Sequence, residues 1–371
     1  MSTPSLTIRS GAIVALRLFD VAYSIDLAVA EAQWRSGPRA ASVRSRLSAT
    51  PTKAVAFGVP PVILTLESIM LPLESGPAQA AVTARLYDFG VVVLALRVGL
   101  QDVDFERLTQ RVNEMDRCVG PEVADGVWRG LLDPLRELLR PALHNPSQNL
   151  LHEDYLLGIV HQWNEPITAV EVEKRFDLVP LLTGEKRPLS ESSRHEVLRR
   201  RFSYYEDDLV VLTWDRAFIV EPRGDADVAD VLEVANAQLL EMRYYSELLD
   251  DELPRMYDHV EEMRRGFAPR RYSKLARRLY GLVAEVTELT EKVDNALQVT
   301  EDVYLARIYA SALELYRVPT VSDAVDRKLS IIRDTYAALY DEASASRGAF
   351  LEIVIVLLIL FEILMALFGH A

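Results

Sequence analysis

The twenty residues AFLEIVIVLLILFEILMALF, positions 349–368, constrain this chain more than any others. Fifteen of them are Leu, Ile, Val or Phe, and only Glu352 and Glu362 are ionisable, so as a helix the segment is apolar on every face. About twenty such residues suffice to cross the hydrocarbon core of a bilayer. Each contributes roughly −0.3 to −0.6 kcal/mol to insertion, against about +3 kcal/mol for a central acid, so insertion wins. A buried core or oligomerisation helix is the alternative, but such helices are usually shorter or keep a polar stripe. Only Gly369, His370 and Ala371 follow, while Lys328, Arg333 and Arg347 precede the segment. The pattern predicts a C-terminal transmembrane anchor over 348–371, in contact with membrane lipid, with everything before it in the cytoplasm.

Half of the 371 residues are apolar, which is enough for two or three domains with ordinary cores. A net charge of −14 argues against general nucleic-acid binding by the whole molecule. The single cysteine, Cys118, excludes an intrachain disulfide and a thiolate metal cage, and reads as a small buried apolar residue. Near the N-terminus, Arg9, Arg17, Asp20 and Asp26 interrupt the apolar residues, so no secretory signal is expected there.

Residues 1–224 read as an α+β cytoplasmic domain with an antiparallel sheet, either one unit or two halves divided near 141–146. Ile8 to Phe19 has the β-branched look of a strand, and Val21 to Trp34 has a helical rhythm. Val62 to Leu66, Ala80 to Tyr87 and the run RLYDFGVVVLALRVGL continue the strands. Asp102 and Asp104 offer caps for a helix over Phe105 to Cys118, and a second helix carries Trp128, Leu131, Leu135, Leu138 and Leu139. Tyr155 to Trp163 reads as a buried strand. RFSYYEDDLVVLTWDRAFIVEP reads as two tight hairpins turning at Asp207-Asp208 and Asp215-Arg216.

The pattern changes at Asp227. Leu232, Ala235, Leu239, Met242, Ser246, Leu249, Leu253, Met256, Val260 and Met263 alternate three and four residues apart, as in a coiled-coil seam, with Pro254 placed to kink the helix. Gly266 and Pro269 supply a stop. A second seam runs from Leu275 through Leu282, Leu289 and Ala296 to Val303. Two such helices joined by a short turn predict an antiparallel helical coiled-coil hairpin over 225–347, either an extended arm or a compact bundle. RVPT at 317–320 breaks the second helix, and a third carries Val325, Leu329 and Ile332.

The second arm, VPTVSDAVDRKLSIIRDTYAALYDEAS, the terminal LEIVIVLLILFEI and the Gly-Val-Val core of RLYDFGVVVLALRVGL together resemble the family named for "required for meiotic nuclear division" and "Sad1-interacting factor". The resemblance implies a bacterial member at the inner membrane: a domain of unknown function, a coiled coil and one C-terminal transmembrane helix. It further implies homo-oligomers and a link to ribosomes or translation. It implies no catalytic residues. Where this chain carries Leu94, Ala95 and Leu96, many members carry an aromatic.

No Gly-rich phosphate loop is present, which argues against nucleotide chemistry. His152 and His161 stand nine apart on one predicted strand and so on opposite faces, a poor metal pair. Glu206, Asp207 and Asp208 read as a turn before they read as acid–base catalysts. No catalytic, cofactor or metal residues are therefore expected. The strongest cluster is Arg270, Arg271, Lys274, Arg277 and Arg278, five cations on one helical face. They suit RNA or ribosomal phosphates, anionic lipid or an acidic protein, unless acids of the facing helix pair with them. Glu362, inside the apolar span, is either an intramembrane contact between neighbouring anchors or a lipid-exposed acid. These features predict a non-enzymatic, tail-anchored membrane scaffold that oligomerises and tethers a cytoplasmic partner. The alternatives are a membrane-bound enzyme with its site in the α+β domain, or an oligomeric channel component.

Overall fold

The computed structural model describes residues 6–36, 42–43, 59–123, 125–147, 149–264 and 302–335, with isolated positions between 277 and 287 and the short stretches 337–338 and 355–359. The chain divides into two compact units, one comprising Met1–Tyr244 with Lys292–Pro319, the other Tyr245–Glu291 with Thr320–Ala371.

The first unit is organised on β1 (Ile8–Asp20) and two short strands, β2 (Ala22–Ile25) and β3 (Ser42–Val43), followed by β4 (Val62–Leu71), β5 (Ala78–Leu86) and β6 (Val91–Val103). After these come β7 (Leu143–Pro146), β8 (His152–Trp163), β9 (Arg201–Phe202), β10 (Leu209–Leu212) and β11 (Arg216–Val220). Nine of them form one sheet in the order β3-β4-β5-β6-β1-β8-β11-β10-β9, with β2 and β7 paired separately. β1 is central because residues 11–20, apolar on both faces apart from Arg17 and Asp20, are all buried, as in a strand covered on both sides. The β5–β6 turn depends on Gly90, whose φ is +101° and whose absent Cβ would stand 1.8 Å from the Ala22 carbonyl oxygen.

One face of the sheet carries Ile13, Ala15, Phe19, Val82, Leu94, Leu96 and Phe218. Against it pack α1 (Leu27–Ser36), α2 (Phe105–Val119) and α3 (Gly126–Leu139). The next helices are α4 (Ala169–Arg175), α5 (Val179–Thr183) and α6 (Glu191–Val197), and α5 brings Leu181 onto the same face. α2 starts where expected: Asp104 accepts from the Arg107 amide at 2.6 Å. It buries Leu108, Val112, Met115 and Val119, spaced four, three and four apart. The other face carries Val14, Leu16, Leu157, Ile159 and Ile219 beneath the start of α7 (Asp227–Arg264). There Val231, Leu232, Val234, Ala235 and Ala237 are all fully buried, wider burial than a two-stranded seam needs. α8 (Val303–Leu315) follows, and Tyr316 at its end packs edge-on to Tyr155 at 5.5 Å between ring centres.

In the second unit, Lys328 reaches the later part of α7, donating to the Ser246 carbonyl at 3.0 Å and pairing with Asp250 at 2.7 Å. Residues 318–335 are helical, and Arg317, at φ +59°, separates them from α8.

Two expectations of fold class are corrected. The sheet is mixed rather than antiparallel, because β11 runs parallel to β8. The C-terminal transmembrane helix is not supported either: among the described residues no helix is long and apolar enough to cross a membrane. Of positions 349–368 only 355–359 are described, and these five are helical. The single-pass inner-membrane location falls with it. Most of the second seam lies outside the described residues, as do Glu362 and all the predicted basic face except Arg277, which is helical and exposed. Val21 to Trp34 is not one helix: β2 pairs with β7, and Asp26 then caps α1, accepting from the Ala28 and Val29 amides at 3.0 Å.

Candidate functional site

Where α2 ends, β8 begins and β10 turns into β11, the first unit opens a cleft of about 430 Å³. This is within the range of small-molecule sites. Asp116 from α2, Glu153 and Asp154 from β8, Asp215 from the β10–β11 turn and Trp214 beside it line the cleft. Arg243 of α7 and backbone at Gly120 complete it.

Two buried arginines stand behind these acids. Arg17, fully buried in β1, donates through Nε to Asp154 and through Nη1 to Asp125 at 2.5 Å. Its Nη2 bonds the Gly120 carbonyl at 3.1 Å, and its guanidinium lies 5.1 Å from the centre of the Trp128 ring. Arg216, the first residue of β11, donates to Asn113 at 2.6 Å, to the Leu181 carbonyl at 3.0 Å and to Asp116 at 2.7 Å. Its Nε is 3.6 Å from Asp215. Each of these two cations therefore serves two carboxylates. Glu153 has Arg243 to itself. Asp125 has a second cation in Arg129, at 3.8 Å, so among the described residues five carboxylates face four guanidinium groups in and behind the cleft, and one negative charge, on the Asp116–Asp215 pair, remains uncompensated. His152 lies alongside, with Nε2 3.8 Å from Asp154.

Burial drives the titration of these acids. It pushes the carboxyls of Glu153, Asp154 and Asp215 above their ordinary range despite Arg243, Arg17 and Arg216, and the negative charge of Asp116 adds to the shift at Asp215. The Tyr155 hydroxyl, fully buried, bonds the Thr213 and Arg216 carbonyls at 3.0 and 2.9 Å, and burial holds it protonated. It fixes the turn carrying Trp214 and Asp215. The Leu156 amide, bonded to the Asp215 carbonyl at 2.9 Å, fixes the same turn from β8. Trp214 remains 51% exposed, its ring 6.3 Å from and perpendicular to Tyr316. A half-neutralised carboxylate beside an aromatic face can hold a cation, and carboxyls with raised pKa can also move protons.

Of the residues singled out from the sequence as binding groups, Arg270, Arg271, Lys274, Arg278 and Glu362 lie outside the described residues, and Arg277 belongs to the second unit. Asp208, read as part of a turn, accepts from the Tyr204 and Tyr205 amides at 2.7 and 3.1 Å and so closes that turn. Cys118 is half-buried, and burial pushes its thiol up, away from a nucleophilic thiolate. His152 and His161 lie on opposite faces of β8, and no group of acids, histidines or cysteine able to hold a metal ion occurs among the described residues. The residues missed were Arg17, Arg216 and their acids. Their signal was a cation on an apolar strand, a placement that costs too much unless it is paired.

The family described as "uncharacterized protein MJ0711, N-terminal domain" matches residues 10–227, which hold every strand of the large sheet apart from the first two residues of β1, and the whole cleft except Arg243. The chain belongs to this family. The MJ0711 protein of Methanocaldococcus jannaschii is 25% identical over 216 residues, covering 58% of this chain and 66% of the relative. No solved structure matches the chain. The membership corrects the resemblance to the "required for meiotic nuclear division" and "Sad1-interacting factor" family, and with it the bacterial assignment. That resemblance drew chiefly on heptad spacing and an apolar terminus, which many unrelated chains share. The MJ0711 match rests on the sheet domain.

Proposed function

We propose that the first unit binds a small, positively charged organic molecule, an amine or a guanidine, in the cleft between α2, β8 and the β10–β11 turn. The observation that carries this reading is the sharing of a single arginine, Arg216, by Asp116 and Asp215. Arg129 supplies the second cation to the Asp125–Asp154 pair, and the Asp116–Asp215 pair lacks one positive charge. An incoming ammonium or guanidinium group supplies it while resting on the exposed face of Trp214. Of the four carboxylates lining the cleft, Asp215 is half-exposed and holds its arginine at the longest distance, so it is the first to engage a ligand.

A thermal-shift titration with butylamine and butylguanidine tests the reading. Saturable stabilisation of the wild type is expected, and Asp215→Asn should weaken it about tenfold or more, since a hydrogen bond to a charged group contributes roughly 1.5–3 kcal/mol. No stabilisation, or equal stabilisation of the variant, would refute it. A second reading, proton transfer on the same bound cation, is favoured by the raised carboxyls of Glu153, Asp154 and Asp215 gathered in one cleft. Tethering of a macromolecular partner draws its residues from 270–278, where the described structure offers only Arg277 to develop.

A further inference from the structure

On the opposite face of the sheet lies a second cavity of about 230 Å³, between the strands and the start of α7. Its size has a cause in the sequence. Ala81 and Thr83 of β5, Ala95 of β6, and Ala226 and Ala229 above them are all small, and they line it together. Close-packed interiors leave few voids larger than a single water, roughly 30 Å³, so five small side chains at one level hold open an unusual space. Val14, Leu16, Leu157, Ile159 and Ile219 make its apolar wall.

Two arginines enter this cavity, and their situations differ. Arg85 is committed: it pairs with Asp230 at 2.5 Å and Glu233 at 3.2 Å, and Glu233 also takes the Tyr87 hydroxyl at 2.7 Å. Arg97 forms no ion pair among the described residues. Its Nη2 instead lies 3.2 Å from His161 Nε2. His161 Nδ1 is 3.4 Å from the Glu221 carbonyl oxygen, so the ring places its one proton there and offers the Nε2 lone pair to Arg97. Burial and the neighbouring Arg97 hold the imidazole pKa below its ordinary value, and this neutral partner leaves the guanidinium charge uncancelled. Partial burial lowers the Arg97 pKa, although the residue keeps an exposed side to solvent.

The backbone builds the Arg97–His161 pair. Ser10 faces Gln162 and Gly11 faces Val160, so His161 is an extra residue, a β-bulge in β8. Such a bulge re-aims its side chain, and it needs Gly11, because a Cβ there would stand 2.5 Å from the Ile159 carbonyl oxygen. On β6, Arg97 is flanked by Val14 and Ala81, which leave its planar fork room over the cavity.

We infer that this cavity binds a small aliphatic monocarboxylate, its two oxygens on the free donors of Arg97 and its carbon chain along Val14, Leu157 and Ile159. Planar bidentate pairing is the geometry a guanidinium prefers with carboxylate. The acids nearby select the charge: Asp230 and Glu233 behind Arg85, and Asp225 at the lining, repel a dianion more than a monoanion. The cavity shares only Leu16 with the lining of the cation cleft, and the inference does not depend on that cleft.

Calorimetric titration of the full chain with pentanoate, with pentan-1-ol and inorganic phosphate as comparison ligands, tests it. Saturable pentanoate binding is expected, with phosphate at least tenfold weaker and the alcohol weaker still. Arg97→Gln should reduce pentanoate affinity at least tenfold, and Ala95→Leu, which fills the cavity without touching a charge, should abolish binding while the circular dichroism spectrum is unchanged. Absence of saturation in the wild type, or wild-type affinity in the Ala95→Leu protein, would overturn the site. Phosphate binding more tightly than pentanoate would overturn the carboxylate assignment.

Discussion

Replacing Asp20 by Asn should stabilise the first unit, and by more as the pH rises. Asp20 closes β1 at 2% exposure, accepts a hydrogen bond from Ser147 Oγ at 3.1 Å and has Arg136 nearby. Burial outweighs both partners and pushes its carboxyl from 3.8 up to about 7. The sign follows from proton counting. Between these two values the folded chain holds a proton that the unfolded chain has released, so stability falls as pH rises through this window. At about 1.4 kcal/mol per pKa unit, ionisation of this one group should cost about 2.5 kcal/mol between pH 5 and pH 8. Asn keeps an acceptor for Ser147 and has no charge to bury. All four tryptophans, Trp34, Trp128, Trp163 and Trp214, belong to the first unit, so urea unfolding followed by their fluorescence reports on it alone. The stability gap between Asp20→Asn and the wild type should widen by about 2.5 kcal/mol from pH 5 to pH 8. A gap independent of pH, or a variant less stable than wild type at pH 8, would refute the reasoning.

Other outcomes follow from single contacts. Gly90→Ala should cost on the order of 3 kcal/mol or more in urea unfolding, whereas Gly76→Ala, at φ +117° with nothing within 4 Å, should cost only about 1–2 kcal/mol of backbone strain. Arg17→Met leaves Asp125 and Asp154 without their shared cation and should cost about 3–5 kcal/mol, with less lost at pH 5 than at pH 8 because burial already raises the Asp154 carboxyl and its protonation relieves the lost pair. Alkylation of Cys118 by iodoacetamide in the folded protein should show a pH midpoint above the roughly 8.5 of a free thiol, and a lower midpoint would contradict the burial argument.

Local patterns carried much of the sheet. The apolar run in β1, the turn chemistry at Asp208 and Asp215, and the Asp104 cap each state their structure within a few residues, because strand alternation, tight turns and N-caps are short-range physics. The parallel β8–β11 pair is written nowhere locally: Leu156 meets Arg216 across sixty residues, including three short helices. The cleft was missed for a related reason. Arg17 and Arg216 looked like ordinary charges until the fold brought Asp154 and Asp116 to them, although a cation inside IVALRLFD is itself a demand for buried partners. At the other end of the chain, the apolarity of 349–368 says that the segment avoids water, and not what covers it. The heptad spacing of α7 likewise fixed an apolar side without naming its neighbour, which for the first turns is the sheet.

The claim at the centre is that the uncompensated charge of the Asp116–Asp215 pair beside Trp214 makes a cation site. It is tested most directly by following the Trp214 indole N–H resonance of the full chain, assigned with Trp214→Phe, during titration with butylguanidine. A saturable shift of that resonance, lost in Asp215→Asn while the Trp34 and Trp163 signals stay in place, is the result expected. A Trp214 signal that does not move, or moves equally in the Asp215→Asn protein, would contradict the account.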